Sequence, residues 1–112
     1  MLNANKTITV VNHWYDKAAD AERELVTTLH GVSWHGQTIA AAGSGGLVAA
    51  SIVRVRIPAS LTAAYLPSER FAGVGWTLRP GDQLQHDGQT VTVLKVHDNR
   101  GAALPHIYVE AS

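Results

Sequence analysis

Residues 47–57 read LVAASIVRVRI and run directly into Pro58. Successive side chains of an extended chain alternate between faces. Val53, Val55 and Ile57 therefore share one side, and Arg54 and Arg56 the other. Three β-branched residues opposite two cations describe a strand with one buried and one wet face. Pro58 ends it, because proline has no N–H to give to a ladder.

Working upstream, residues 43–46 (GSGG) form the most flexible point of the chain and read as a loop tip, with a further edge strand at 37–42. Residues 24–30 alternate again and stop at Gly31, where an isolated glycine marks a bulge or kink before the sheet resumes at 32–35. Residues 17–25 (KAADAEREL) hold the only good helix formers, and fit one helical turn or a loop. Residues 7–11 (TITVV) make the first strand, followed by the mixed aromatic and polar run 12–16.

Downstream, residues 59–80 make a long connection punctuated by Pro67 and Pro80, yet carrying Leu61, Tyr65, Leu66 and Phe71. Loops of this length inside a compact domain are uncommon and usually functional. Gly81-Asp82 opens the last β unit. Asp87-Gly88 between 83–87 and 89–97 is a strong hairpin signal. A turn at 98–101 precedes the closing strand within 103–110.

The expected fold is all-β: a small barrel or sandwich of about six to eight short strands, with a long inserted loop and at most one short helix. A chain of 112 residues, 46% apolar, supports a single domain over 1–112 with its own core. The expected core is Ile8, Val10, Leu25, Leu29, Trp34, Val53, Val55, Ile57, Val91, Val93 and Val109. Residues 59–75 are expected to protrude as an interaction loop.

Composition narrows the chemistry. Nine Lys plus Arg balance nine Asp plus Glu, so no net field draws the chain to nucleic acid or an anionic membrane. No cysteine is present, which removes disulfides, thiolate metal sites and thiol catalysis, and fits folding in a reducing cytoplasm. The polar start MLNANK lacks the apolar core of a signal peptide, and no run approaches a membrane helix.

Six histidines (His13, His30, His35, His86, His97, His106) show no HxH, HxxxH or HExxH spacing. A barrel would still be able to gather His97, Asp98 and His106 as a two-histidine, one-carboxylate set; the ordinary reading is dispersed, hydrogen-bonded imidazoles. Ser44 lacks the strand–elbow–helix setting of a hydrolase serine, and the same glycines lack the Lys-Ser/Thr of a phosphate loop. Glu22, Glu24, Asp82 and Asp87 sit where a solvated turn or strand face wants charge. Trp14, Tyr15, Trp34 and Trp76 suit either a sugar platform or ordinary packing. Arg54 and Arg56, with Arg79 and Arg100, suit an ion-paired stripe, either between subunits or in solvent. No catalytic residue, metal ligand or cofactor site is assigned.

Several pieces together carry a resemblance. They are Gly31-Val32-Ser33-Trp34-His35-Gly36, the strand end Val55-Arg56-Ile57-Pro58, Gly81-Asp82, and Val96-His97-Asp98-Asn99-Arg100 followed by Pro105-His106-Ile107-Tyr108-Val109. With the N-terminal strand, they resemble a family of small tailed-bacteriophage morphogenesis proteins, in particular head-to-tail connector proteins of the stopper (head-closure) class. That resemblance implies a small β-barrel with a long loop. It also implies assembly into a homo-oligomeric ring at the virion neck, between portal-side adaptor and tail-side proteins, without catalysis, cofactor or membrane. Such a subunit is made in the host bacterial cytoplasm and ends in the virion, where its ring touches packaged DNA in the channel non-specifically. Residues 59–75 cannot be matched to the family, so no functional residue is carried over. The interface candidates Leu61, Tyr65, Leu66, Phe71, Arg54 and Arg56 rest on this chain alone. The alternatives are a small cupin-like metal-binding barrel enzyme and a carbohydrate-binding β domain.

Overall fold

The computed structural model describes residues 4–43 and 46–112, with side chains described outside 37–50. Six antiparallel strands close into a barrel in the order β1-β2-β3-β6-β5-β4. They are β1 (Lys6–Asp16), β2 (Ala21–Gly43), β3 (Gly46–Pro58), β4 (Gln83–His86), β5 (Gln89–Asn99) and β6 (His106–Ala111). No helix among the described residues is long and apolar enough to cross a membrane.

The strands are fewer and longer than their sequence fragments suggest. Residues 24–30, 32–35 and 37–42 fuse into one strand of 23 residues, β2. Its first part pairs with β1 as far as Val32, and its second part pairs with β3 from Ser33 onward. Gly31 lies at the changeover with φ +87, in register with an irregularity of the β1–β2 ladder, so the expected kink is there. The run 17–25 forms no helix: Lys17–Asp20 is a hairpin turn, and the strand resumes at Ala21. Asp16 Oδ1 accepts the N–H groups of Ala18 and Ala19 (3.1 and 3.3 Å), and this local turn chemistry overrides the helix propensity of the alanines. At the other hairpin, Asp87 and Gly88 both take positive φ (49° and 79°), as a two-residue turn between twisted strands requires.

Alternation builds the core. Ile8 and Val10 from β1, Leu29 from β2, Val53, Val55 and Ile57 from β3, Leu84 from β4, Val91 and Val93 from β5, and Ile107, Val109 and Ala111 from β6 fill the barrel. Leu25 is only half-buried, and Trp34 packs on the core from its margin. Leu94 faces outward, as alternation places it, but a register shift between Val93 and Lys95 brings Val96 back toward the interior, where alternation alone would have kept it outside.

Val32, Trp76 and Leu78 complete the core, the last two from the connection between β3 and β4. That connection opens and continues with two single 3-10 turns, Ala59–Leu61 and Ser68–Arg70, following Pro58 and Pro67. It then folds back. Leu66 N–H donates to Trp76 O (2.8 Å), and Trp76 N–H donates to Ala64 O (2.9 Å). Residues 67–75 are thereby tied off as a flap, while Trp76 is packed into the barrel core at 2% exposure.

Candidate assembly surface

The return of the connection is held by a buried polar joint. Asn12, on the inward face of β1, donates from Nδ2 to Thr77 O (2.7 Å) and to Asp82 Oδ2 (3.0 Å), and its Oδ1 accepts Thr77 N–H (3.2 Å). Arg79 N–H donates to the same Asp82 oxygen (3.0 Å), and Arg79 Nη2 donates to His13 O. Asp82 is therefore buried, not the solvated turn carboxylate that its place after Gly81 suggests. Glu22, Glu24 and Asp87 are exposed as expected. No sequence signal marks Asn12; only the pairing of β1 with β4 brings it to Asp82.

The connection lies on the barrel. Leu61 and Tyr65, expected to be free for a partner, pack on the core instead. The Tyr65 ring meets Trp76 edge-on at 5.0 Å, and Phe71 meets Trp14 at 5.2 Å with the Arg79 guanidinium 5.3 Å above it. Leu66 is half-buried, and the outward apolar residue of the flap is Val74. Burial pushes the Tyr65 hydroxyl pKa upward, with the nearby Asp98 charge adding to it. Asp98 accepts two hydrogen bonds from the Arg100 guanidinium (2.8 and 2.7 Å), which lies 5.0 Å over the Tyr65 ring, and a third from the Arg100 backbone N–H (3.1 Å). Those bonds hold the Asp98 carboxyl below its usual range. Between flap and barrel rim lies a concavity of about 340 Å³, lined by Tyr65, Pro67, Glu69, Arg79, Val96 and Asp98 among others.

Arg54 and Arg56 do share a face. Ladder registry sets His35, Arg54, Glu110 and Lys95 in one row across β2, β3, β6 and β5, and Ser33, Arg56, Tyr108 and His97 in the next. Arg56 lies over the Tyr108 ring at 5.0 Å, and the Tyr108 hydroxyl donates to Glu110 (3.1 Å). Partial burial and that bond to Glu110 raise the Tyr108 pKa. Arg79 and Arg100 lie instead at the flap, against Phe71 and Tyr65, and are not part of these rows. Across the other wall, rows Thr28, Thr9, Gln85, Thr90 and Val26, Val11, Gln83, Thr92 carry no charge, with Val26 56% exposed.

The other candidate chemistries separate in space. His97 and Asp98 are consecutive in β5 and point to opposite faces, Asp98 is taken by Arg100, and His106 Nδ1 is bonded to Leu104 O (2.6 Å). Among the described residues no group of three or more His, Cys, Asp or Glu is placed to hold a metal ion. Trp76 is in the core, Trp14 under the flap and Trp34 against His86 at 4.9 Å, so the tryptophans form no common platform. Ser44 lies outside the described residues.

No curated protein and no solved structure matches the chain. One family model does, over residues 2–112, nearly the whole length. By that match, the chain belongs to the family of unknown function DUF6751.

Proposed function

We propose that this chain is a structural subunit of a tailed-phage virion, a ring-forming head-to-tail connector protein of the stopper type at the neck. The observation that carries the proposal is the filled barrel. Ile8, Val10, Val53, Val55, Ile57, Leu84, Val93, Ile107 and Val109 leave essentially no exposed surface inside, and Trp76 packs among them. A ligand-binding or cupin-type barrel needs an open, polar-lined interior. Here the chain's distinct surfaces all face outward, as suits a protein whose work is contact. The sequence resemblance supplies the kind of contact: copies of itself, with portal-side and tail-side proteins above and below. The face of Arg54, Arg56 and Lys95 stays net positive with Glu110 between Arg54 and Lys95, and is the side suited to passing DNA, since phosphate neutralisation needs no sequence readout.

The test is localisation in particles. Immunogold labelling of purified virions should mark the neck, and a nonsense mutation in the gene should leave filled heads that fail to keep their DNA or join tails. Full infectious particles from the mutant, or label absent from virions, would overturn the reading.

A further inference from the structure

Two hairpins run on beyond the strands that close the barrel. In the first, the far ends of β1 and β2 outrun β4, which pairs only with Thr9–Val11. In the second, residues 36–43 and 46–52 pair with each other, while β6 reaches β3 only from Val53 onward. Unpaired strand edges invite pairing with another chain, and proteins blunt them with charge, proline, bulges or a covering loop.

The first hairpin has two of these protections. Asp16, Lys17, Asp20, Glu22, Arg23 and Glu24 crowd its tip. The connection also covers its β1 side, through Trp14 against Phe71 and Arg79 on His13 O. Among the described residues the second hairpin shows none. No Lys, Arg, Asp, Glu or Pro occurs anywhere between Glu24 and Arg54. Its register runs unbroken from Ser33–Arg56 to Gly43–Gly46, without a bulge. A lone two-stranded ribbon is marginal in water. Its edges have been kept free of the usual deterrents within a chain that applies them elsewhere.

We propose that this ribbon joins copies of the chain to one another, the outer edge of β2 in one copy pairing with the outer edge of β3 in the next. A second copy is the fitting occupant because the ribbon carries no charge to select a charged partner or nucleic acid, and because it offers one edge of each kind. β2 and β3 run in opposite directions, so ribbons set side by side remain antiparallel throughout. Pairing two like edges would leave the other edge of each copy bare, whereas head-to-tail pairing leaves none once a ring closes. Each edge spans about 24 Å at ~3.4 Å per residue. The inference deepens the ring reading by naming the joint, and it rests on that reading for closure alone.

The chain has no cysteine, so introduced thiols report cleanly. Full-length Ala40→Cys and Ala49→Cys proteins, mixed and treated with a short bifunctional thiol cross-linker, should give mixed dimers in excess of either homodimer. Ala49→Lys should shift the unmodified oligomer to monomer in sedimentation while the far-UV circular dichroism spectrum at about 20 °C stays that of the folded β protein. Homodimers alone would overturn head-to-tail pairing. A chain that stays monomeric at its highest attainable concentration, or an Ala49→Lys protein that still assembles, would overturn the ribbon as the joint. These outcomes are independent of where label falls on a virion, so the two proposals fail separately.

Discussion

At Asn12 three buried groups, on Thr77 and Asp82, depend on one amide. Replacing it with alanine strands Thr77 N–H and Thr77 C=O in the interior and removes a donor from Asp82. Each orphaned buried group costs about 1–3 kcal/mol, so Asn12→Ala should lose roughly 2–4 kcal/mol in urea denaturation. Asn12→Asp should be worse, since it sets a second carboxyl against Asp82. Gly75 is held at φ +76, and a Cβ there would run into the Ala64 carbonyl oxygen. Gly75→Ala should therefore lower the denaturation midpoint by an amount worth about 1–3 kcal/mol, although it adds only a methyl group. Asp98 sets an acid limit. Its folded pKa is depressed, chiefly by the bond from Arg100, so its contribution is complete above the unfolded value of about 4 and is lost as pH falls through the folded one. The carboxylate is 42% exposed, and screening keeps that contribution within about 1 kcal/mol. Thermal melts should thus separate Asp98→Asn from the parent slightly at pH 7, and the gap should close on acidification below about pH 4.

At the scale of elements, the strands with one wet and one dry face were readable from residue alternation. Val53, Val55 and Ile57 are fully buried where the pattern puts them, and Val55→Ala should cost about 1–3 kcal/mol by chemical denaturation. Alternation fails at Val96, beyond the bulge at Leu94, because period two carries no memory of register across an inserted residue. Helix propensity fails between 17 and 25, where a single Asp16 side chain decides between helix and turn. The connection was the hardest part. Its prolines forecast the absence of strands over 59–75, but Leu61, Tyr65 and Trp76 carry no periodicity to say which way they face. Their burial comes from the Trp76–Ala64 and Asn12–Thr77 bonds, which link residues far apart in the chain. Of the candidate contact residues, Arg54 and Arg56 were legible as a shared face because they lie within a strand. Tyr65→Ala, which removes an aromatic contact from Trp76 and the platform under Arg100, should cost on the order of 2 kcal/mol. Trp76 fluorescence would report the opened core.

For the whole molecule, the distribution of charge separates two ways of assembling. A ring joined through the uncharged ribbon should keep its sedimentation coefficient from low to high salt, since screening acts only on charges. Assembly through the Arg54–Arg56 face would instead weaken as salt rises. The barrel closes on the short seam of β1 with β4, where Thr9, Val10 and Val11 meet Gln85, Leu84 and Gln83. The two sides of that seam are made at opposite ends of translation. At ribosomal speeds of ~5–20 residues per second, Thr9 waits roughly 4–15 s for Gln85 to be synthesised. Until then Ile8 and Val10 have no inner wall opposite them, and Thr77 and Asp82, the partners of Asn12, are made only just before. The nascent chain is thus left with a half-built hairpin that chaperones can hold, and truncation before residue 83 yields a sheet that cannot close at all.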